Sequence, residues 1–165
     1  MALMQVSRKI DYGLRAMIYL TSQNERRPCS VAEISERERI PKKFLEKIIQ
    51  DLIHHGIVRS TRGAQGGYTL ARPPETVTFK DVIEAIEGPV SLNVCVGDNS
   101  ESCECSLVPS CTMLWVWREA QQRVMEVFAK TTLADVRVKH PGIPPAVANP
   151  GESPLPSATP TTATG

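Results

Sequence analysis

Ile40-Pro41-Lys42-Lys43-Phe44-Leu45-Glu46-Lys47-Ile48-Ile49-Gln50-Asp51-Leu52-Ile53-His54-His55-Gly56 is the stretch on which the fold turns. Phe44, Leu45, Ile48, Ile49, Leu52 and Ile53 recur as adjacent pairs every four residues, the spacing of a helix with one apolar side. Lys42, Lys43, Glu46, Lys47 and Gln50 fall on the other side. Pro41 suits the first position of such a helix, where its missing N–H leaves nothing unbonded. Gly56 suits the left-handed residue that ends it, and His54 and His55 sit well against the negative end of the helix dipole. The stretch predicts one short helix with a basic outer face.

The flanking sequence supplies its companions. Ser30 and Glu33 have the spacing of a capping box and predict a helix ending near Arg39. Ile10, Leu14, Met17 and Ile18 share a face of an earlier helix, from about Arg8 to Ser22. Downstream, Ile57–Thr61 and Gly67–Ala71 read as strands joined by the glycine-rich turn Arg62-Gly63-Ala64-Gln65-Gly66. Thr78 and Asp81 open a further helix that stops at Gly88-Pro89. Three short helices followed by a hairpin describe a mainly α fold with a small β-hairpin, a winged helix-turn-helix over residues 1–89.

In that fold the third helix enters the major groove of DNA. Lys42, Lys43 and Lys47 can reach phosphates or guanine acceptors, and Glu46 can accept from cytosine N4. Arg62 at the hairpin tip can enter a minor groove, with glycines letting the backbone approach. A basic face that merely meets water is the bland alternative. The ordered run of capped helix, proline-started helix, glycine stop and glycine-rich hairpin favours DNA.

Composition agrees. The 165 residues carry a net charge of +1, but residues 1–72 hold 13 Lys and Arg against 7 Asp and Glu, and the remainder 6 against 11. A basic first half suits phosphate. The chain is too short for a barrel enzyme of about 250 residues. No apolar run nears the roughly 20 residues of a membrane span, and Met1 to Lys9 lacks a signal peptide's apolar stretch, so the cytoplasm is the expected location. Nothing resembles a nucleophile, base and orienting acid. The Gly-Ala-Gln-Gly-Gly turn lacks the Lys-Ser/Thr ending of a phosphate loop.

Residues 90–112 read as a cysteine-rich loop. A long helix from about Thr112 to Lys130, roughly 28 Å, carries Leu114, Trp117, Ala120, Val124 and Phe128 on one face. It is too long for so small a core to cover, and residues 113–138 are expected to form a dimerisation helix, with Trp115 and Trp117 packing at the interface. Residues 139–165 read as a disordered tail: from His140 onward they hold 7 of the 13 prolines and no aromatic residue. The loop spacing is Cys95-x7-Cys103-x-Cys105-x5-Cys111. Soft thiolates suit iron–sulfur clusters, zinc or copper(I), and the spacing alone leaves a cluster, a zinc site and a thiol redox switch open. Cys29 reads as an ordinary, partly buried thiol.

The segments Lys9-Ile10-Asp11-Tyr12-Gly13-Leu14-Arg15-Ala16, Ile40-Pro41-Lys42-Lys43-Phe44-Leu45-Glu46 and Arg62-Gly63-Ala64-Gln65-Gly66-Gly67-Tyr68 resemble the IscR/NsrR/RirA family of bacterial transcription regulators. The resemblance runs through the cysteine loop to Thr132-Leu133-Ala134-Asp135. It implies a homodimer on palindromic double-stranded operator DNA, with Glu46 reading bases, Lys43 and Lys47 beside it, and Arg62 as the wing arginine. It also implies a 2Fe-2S or 4Fe-4S cluster on Cys95, Cys105 and Cys111, with Cys103 as the alternative second ligand. Met113 and Leu114 stand where IscR-type members carry a histidine. Asp11 stands where the NsrR-like pattern takes an aspartate from the partner subunit; its other role would be an ion pair with Arg8 or Arg15. The function implied is a repressor controlled by cluster chemistry, sensing iron, redox state or nitric oxide. The alternative is a cluster-free regulator of the same fold, controlled by a partner protein or thiol oxidation.

Overall fold

The computed structural model describes residues 6–23, 27–63, 66–97 and 105–138; Cys103 and the expected tail at 139–165 lie outside them. The elements run α1 (Arg8–Ser22), α2 (Val31–Glu38), α3 (Lys42–His54), β1 (Val58–Thr61), β2 (Gly67–Leu70), α4 (Phe79–Glu87), α5 (Leu114–Lys130) and α6 (Leu133–Val138). Short 3-10 turns occur at Pro74–Thr76 and Val108–Ser110. β1 and β2 form an antiparallel pair, with Val58 opposite Leu70 and Thr61 opposite Gly67. The winged helix-turn-helix expected from the sequence is the fold observed.

The core lies where α1, α3 and α4 meet. Leu45, Ile48, Ile49 and Leu52 of α3 are fully buried, as are Met17, Ile34, Ile40, Val77 and Val82. Each aliphatic chain removed from water contributes about 2 kcal/mol. On α1 the buried residues are Ile10, Gly13, Ala16, Met17, Leu20 and Thr21, while Leu14 and Ile18 are only partly buried. Gly13 permits close packing: a Cβ there would stand 2.2 Å from Ile86 Cδ1.

The local signals mostly act as read, with four corrections. Pro41 is the N-cap of α3, one position before the helix. Ser30 Oγ accepts from the Glu33 amide at 3.1 Å, but the Glu33 carboxylate turns to Tyr19 and Arg27 rather than back to the cap. Phe44 is 61% exposed and is not part of the core stripe, because four residues already fill that side of α3. The long helix read from about Thr112 to Lys130 is α5, but the segment 113–138 expected as a dimerisation helix also holds a second helix, α6. Thr131 ends α5, and Thr132 opens α6 through reciprocal bonds with Asp135. The break is fastened to α4: the Phe79 amide donates to the Thr131 carbonyl and the Leu133 amide to that of Val77, both at 2.9 Å.

Elsewhere the caps hold. Thr78 and Asp81 make the full reciprocal box. Gly56 (φ +66°) ends α3 in a Schellman motif: its amide donates to Ile53 and that of Ile57 to Leu52, each at 2.9 Å. His55 Nδ1 lies 2.9 Å from the Asp51 carbonyl oxygen. In the turn between α2 and α3, Arg39 is left-handed (φ 53°), and the Ser35 hydroxyl donates to the Ile40 carbonyl at 2.6 Å.

Two stability tests follow from the backbone. Arg39→Gly removes a left-handed side chain and is expected to raise stability by about 0.5–1 kcal/mol. Gly67→Ala places a Cβ 2.7 Å from the Cys29 carbonyl oxygen and should cost about 1–3 kcal/mol; urea unfolding of both variants measures the pair. A third test uses pH. The Arg27 guanidinium, with help from the Tyr19 hydroxyl, holds the Glu33 carboxyl below its ordinary range. A carboxyl depressed in the folded state stabilises above its unfolded pKa, near 4.3, and that stabilisation fades as pH falls through the folded value. Glu33→Gln should therefore lower stability at pH 7 and converge on the parent protein in acid.

Candidate nucleic-acid interface and cysteine loop

Because α3 buries one side completely, its opposite side is presented to solvent by necessity. Lys42, Lys43, Glu46, Lys47 and Gln50 are all exposed. Among the described residues none of Lys42, Lys43, Glu46 or Lys47 is held by an ion pair or hydrogen bond. The acid on the flank behaves differently: Asp51 is taken by Lys9 at 2.8 Å, whose Nζ also donates to the Ile86 carbonyl at 2.7 Å. The outer face of α3 is thus three lysines, one glutamate and one glutamine, free to pair with an external polyanion.

The wing is anchored at its base and open at its tip. Cys29 and Tyr68 exchange backbone hydrogen bonds at 3.0 and 2.9 Å, so β2 is gripped by the strand-like segment before α2. That grip is why Gly67 has no room for a side chain. Gly66 is equally confined, since a Cβ would meet the Thr61 carbonyl oxygen at 2.4 Å. Arg62 stands exposed just before Gly63, whose φ is +120°. Arg59, also exposed, donates from Nε to Thr69 Oγ1 at 3.0 Å. Both predicted basic elements, the outer face of α3 and Arg62, are exposed to solvent.

The cysteine loop leaves α4 at Gly88 (φ +84°) and is hydrogen-bonded to α5 through Gln121. Gln121 Nε2 donates to the Val90 carbonyl at 2.7 Å, and its Oε1 accepts from the Leu92 amide at 2.9 Å. Val96 is buried, next to half-buried Cys95. Cys105 is exposed. Cys111 is half-buried and borders a shallow hollow of about 380 Å³ with Trp115 and Arg118. The donors are free, soft thiols and fit a cluster chemically. Their placement in the single chain does not close one: among the described residues no three His, Cys, Asp or Glu side chains converge on a point. Asp11 lies exposed on α1 and pairs with Arg15 at 3.6 Å, the ion-pair role open to it from the sequence.

Cys29 is fully buried rather than partly so. Burial, and then the nearby Glu33 carboxylate, push its thiol pKa up, so it is a packing residue.

Two residues of this surface escaped sequence reasoning. Phe44 looked like core because it precedes Leu45 in the apolar stripe. Gln121 was passed over for Ala120, although 114, 117, 121, 124 and 128 form the cleaner repeat. A lone polar residue in that repeat was the available signal.

A helix-turn-helix with an unpaired basic third helix and an arginine-tipped wing defines a DNA-binding regulator. Residues 6–139 match the family model Rrf2, described as iron-dependent transcriptional regulator, and the chain belongs to that family. It is 33% identical over 133 residues to the HTH-type transcriptional regulator CymR of Bacillus subtilis, covering 81% of this chain and 89% of that one. The solved structure of CymR, described as the global cysteine regulator of B. subtilis, matches with a TM-score of 0.67 and 31% identity over 82% of this chain and 98% of that chain. IscR of T. potens matches with a TM-score of 0.63 and 35% identity over 81% and 85%. These relatives are regulators of transcription, not enzymes. No helix among the described residues is long and apolar enough to cross a membrane.

Thiol chemistry checks the loop. In native protein Cys105 should react with a maleimide or a chromogenic disulfide well before Cys29, whose access and thiolate fraction are both low. Mass mapping of the labelled peptides reads the order; Cys29 labelling as fast as Cys105 would contradict this burial.

Proposed function

We propose that two copies of this chain bind a palindromic operator in the cytoplasm as a repressor, and that chemistry at the cysteine loop sets the affinity. The observation that carries this is the Gln121 clasp. It joins the first turn of the loop to the middle of α5, so a rearrangement around Cys95 reaches the helix on which the dimer would be built. α5 has no fully buried residue, and Trp115, Val116 and Val127 lie exposed along it, as expected of a helix whose partner is a second copy.

Each recognition helix would take one half-site, with Glu46, Lys43 and Lys47 at the bases and Lys42 and Arg62 on the backbone and in the minor groove. The two half-sites must match the spacing of the two helices, about one turn of DNA. A small change in how the α5 helices cross therefore changes operator affinity without altering either DNA-binding face.

Cys95, Cys105 and Cys111, with Asp11 of the partner subunit, are the residues that would hold an iron–sulfur cluster; Cys103 is the alternative second ligand. When bound, such a cluster supplies a redox-active, exchangeable iron centre. The carboxylate of Asp11 is a harder donor than thiolate and exchanges more readily. Support comes from the soft donor set and from family membership. A second reading keeps the fold and replaces the cluster with reversible thiol oxidation or a partner protein. It is favoured by the exposure of Cys105 and by the similarity to a protein described as a cysteine regulator.

The deciding experiment is operator binding by full-length protein purified without oxygen, then stripped of iron. Brown or red protein with stoichiometric iron and acid-labile sulfide, and a difference in affinity of fivefold or more between the two forms, is expected. Colourless protein whose affinity follows thiol oxidation instead establishes the second reading. Gln121→Ala should lower stability by about 1–2 kcal/mol through two lost hydrogen bonds and shrink the affinity difference. Full coupling in that variant would remove the clasp from the mechanism.

A further inference from the structure

Phe44 is the largest side chain on α3 that the core does not use. It is 61% exposed, although Leu45 beside it is fully buried. The α3 stripe of Leu45, Ile48, Ile49 and Leu52 is complete without it, and it lies in the first helical turn between exposed Lys43 and Lys47. The N-terminal turn of a recognition helix is the part that meets base edges. On an otherwise charged and amide-bearing surface, a phenyl ring offers no hydrogen bond. The one apolar feature in the major groove is the C5-methyl group of thymine.

We propose that Phe44 is a specificity-determining residue that packs on the methyl group of one thymine in each half-site. This rests on the DNA-binding reading of α3 and deepens it. The flanking lysines bring the turn to the backbone by charge, independently of sequence. Phe44 then distinguishes thymine from cytosine or uracil at one position, an apolar selection that Lys43, Glu46 and Lys47 cannot make. The occupant is DNA, because the ring is continuous with the unpaired lysines and carries no polar rim of its own.

The test starts from the full-length protein and an operator selected by it from random duplexes. Each thymine of that operator is replaced in turn by deoxyuridine, which removes only the methyl group. One position per half-site should weaken the parent protein about fourfold, and both together about fifteenfold, the scale of one buried methyl group each. Phe44→Ala should bind the unmodified operator about fifteenfold more weakly and be indifferent to deoxyuridine at those positions. Its melting temperature and salt slope should be unchanged, since the residue is exposed and uncharged. Loss of affinity with every uridine response retained would place the ring on the sugar–phosphate backbone and overturn the proposal. Unchanged DNA affinity would do the same and point to a protein partner. Failure of the parent protein to select any duplex would instead sink the DNA-binding reading beneath it.

Discussion

The complete burial of one side of α3 governs everything else on this molecule. Leu45, Ile48, Ile49 and Leu52 are inaccessible, and at about 2 kcal/mol each their seating outweighs any single base contact, worth about 1–3 kcal/mol. A ligand on the outer face therefore cannot rotate this helix to suit itself. The face carrying Lys42, Lys43, Glu46 and Lys47 is set by what lies beneath it, and the turn through Arg39 and Ile40 is locked by Ser35. In the dimer proposed above, a rigid helix of this kind would leave regulation one handle, the placement of each domain relative to the other.

The attachment of the cysteine loop to α5 is of a size that would suit the proposed regulation. Gln121 of α5 makes two hydrogen bonds to the loop that begins at Gly88, each with a net worth of about 0.5–1.5 kcal/mol. Couplings between sites in allosteric proteins amount to about 1–3 kcal/mol, or 5–150-fold in affinity. The clasp is thus of the size that a signal at the cysteines could break. α6, by contrast, is fixed to α1 and α4 through fully buried Leu133 and the Thr131–Phe79 and Leu133–Val77 hydrogen bonds. The far end of α5 is held firmly while its beginning, at Cys111 and Trp115, stands open.

The glycines of the wing show how a motif becomes geometry. Gly66 and Gly67 are not there for flexibility. Each is pressed against backbone, of Thr61 and of Cys29, and this clamps β2 to the segment before α2. Arg62 is consequently held out on a short, anchored hairpin. The same clamp buries Cys29 and removes it from the chemistry of the other cysteines.

Helix boundaries, the glycine stop, the Thr78 box and the basic face were legible in the residues because they depend on neighbours three or four positions apart. Thr132 and Asp135 carry an equally local signal for the start of α6, the same spacing as Thr78 and Asp81. Other features were not local. Phe44 faces out while Leu45 beside it is buried, and the Glu33 carboxylate leaves its cap because Tyr19 and Arg27 arrive from elsewhere in the chain. Gln121 matters because a loop thirty residues earlier needs its amide. The sequence by itself determined a winged helix with a basic reading face and thiols ahead of a long helix, since short-range spacing encodes helical faces. Only the tertiary structure decided which apolar residue of α3 is left exposed and which polar one holds the loop, since both depend on what distant segments have already filled.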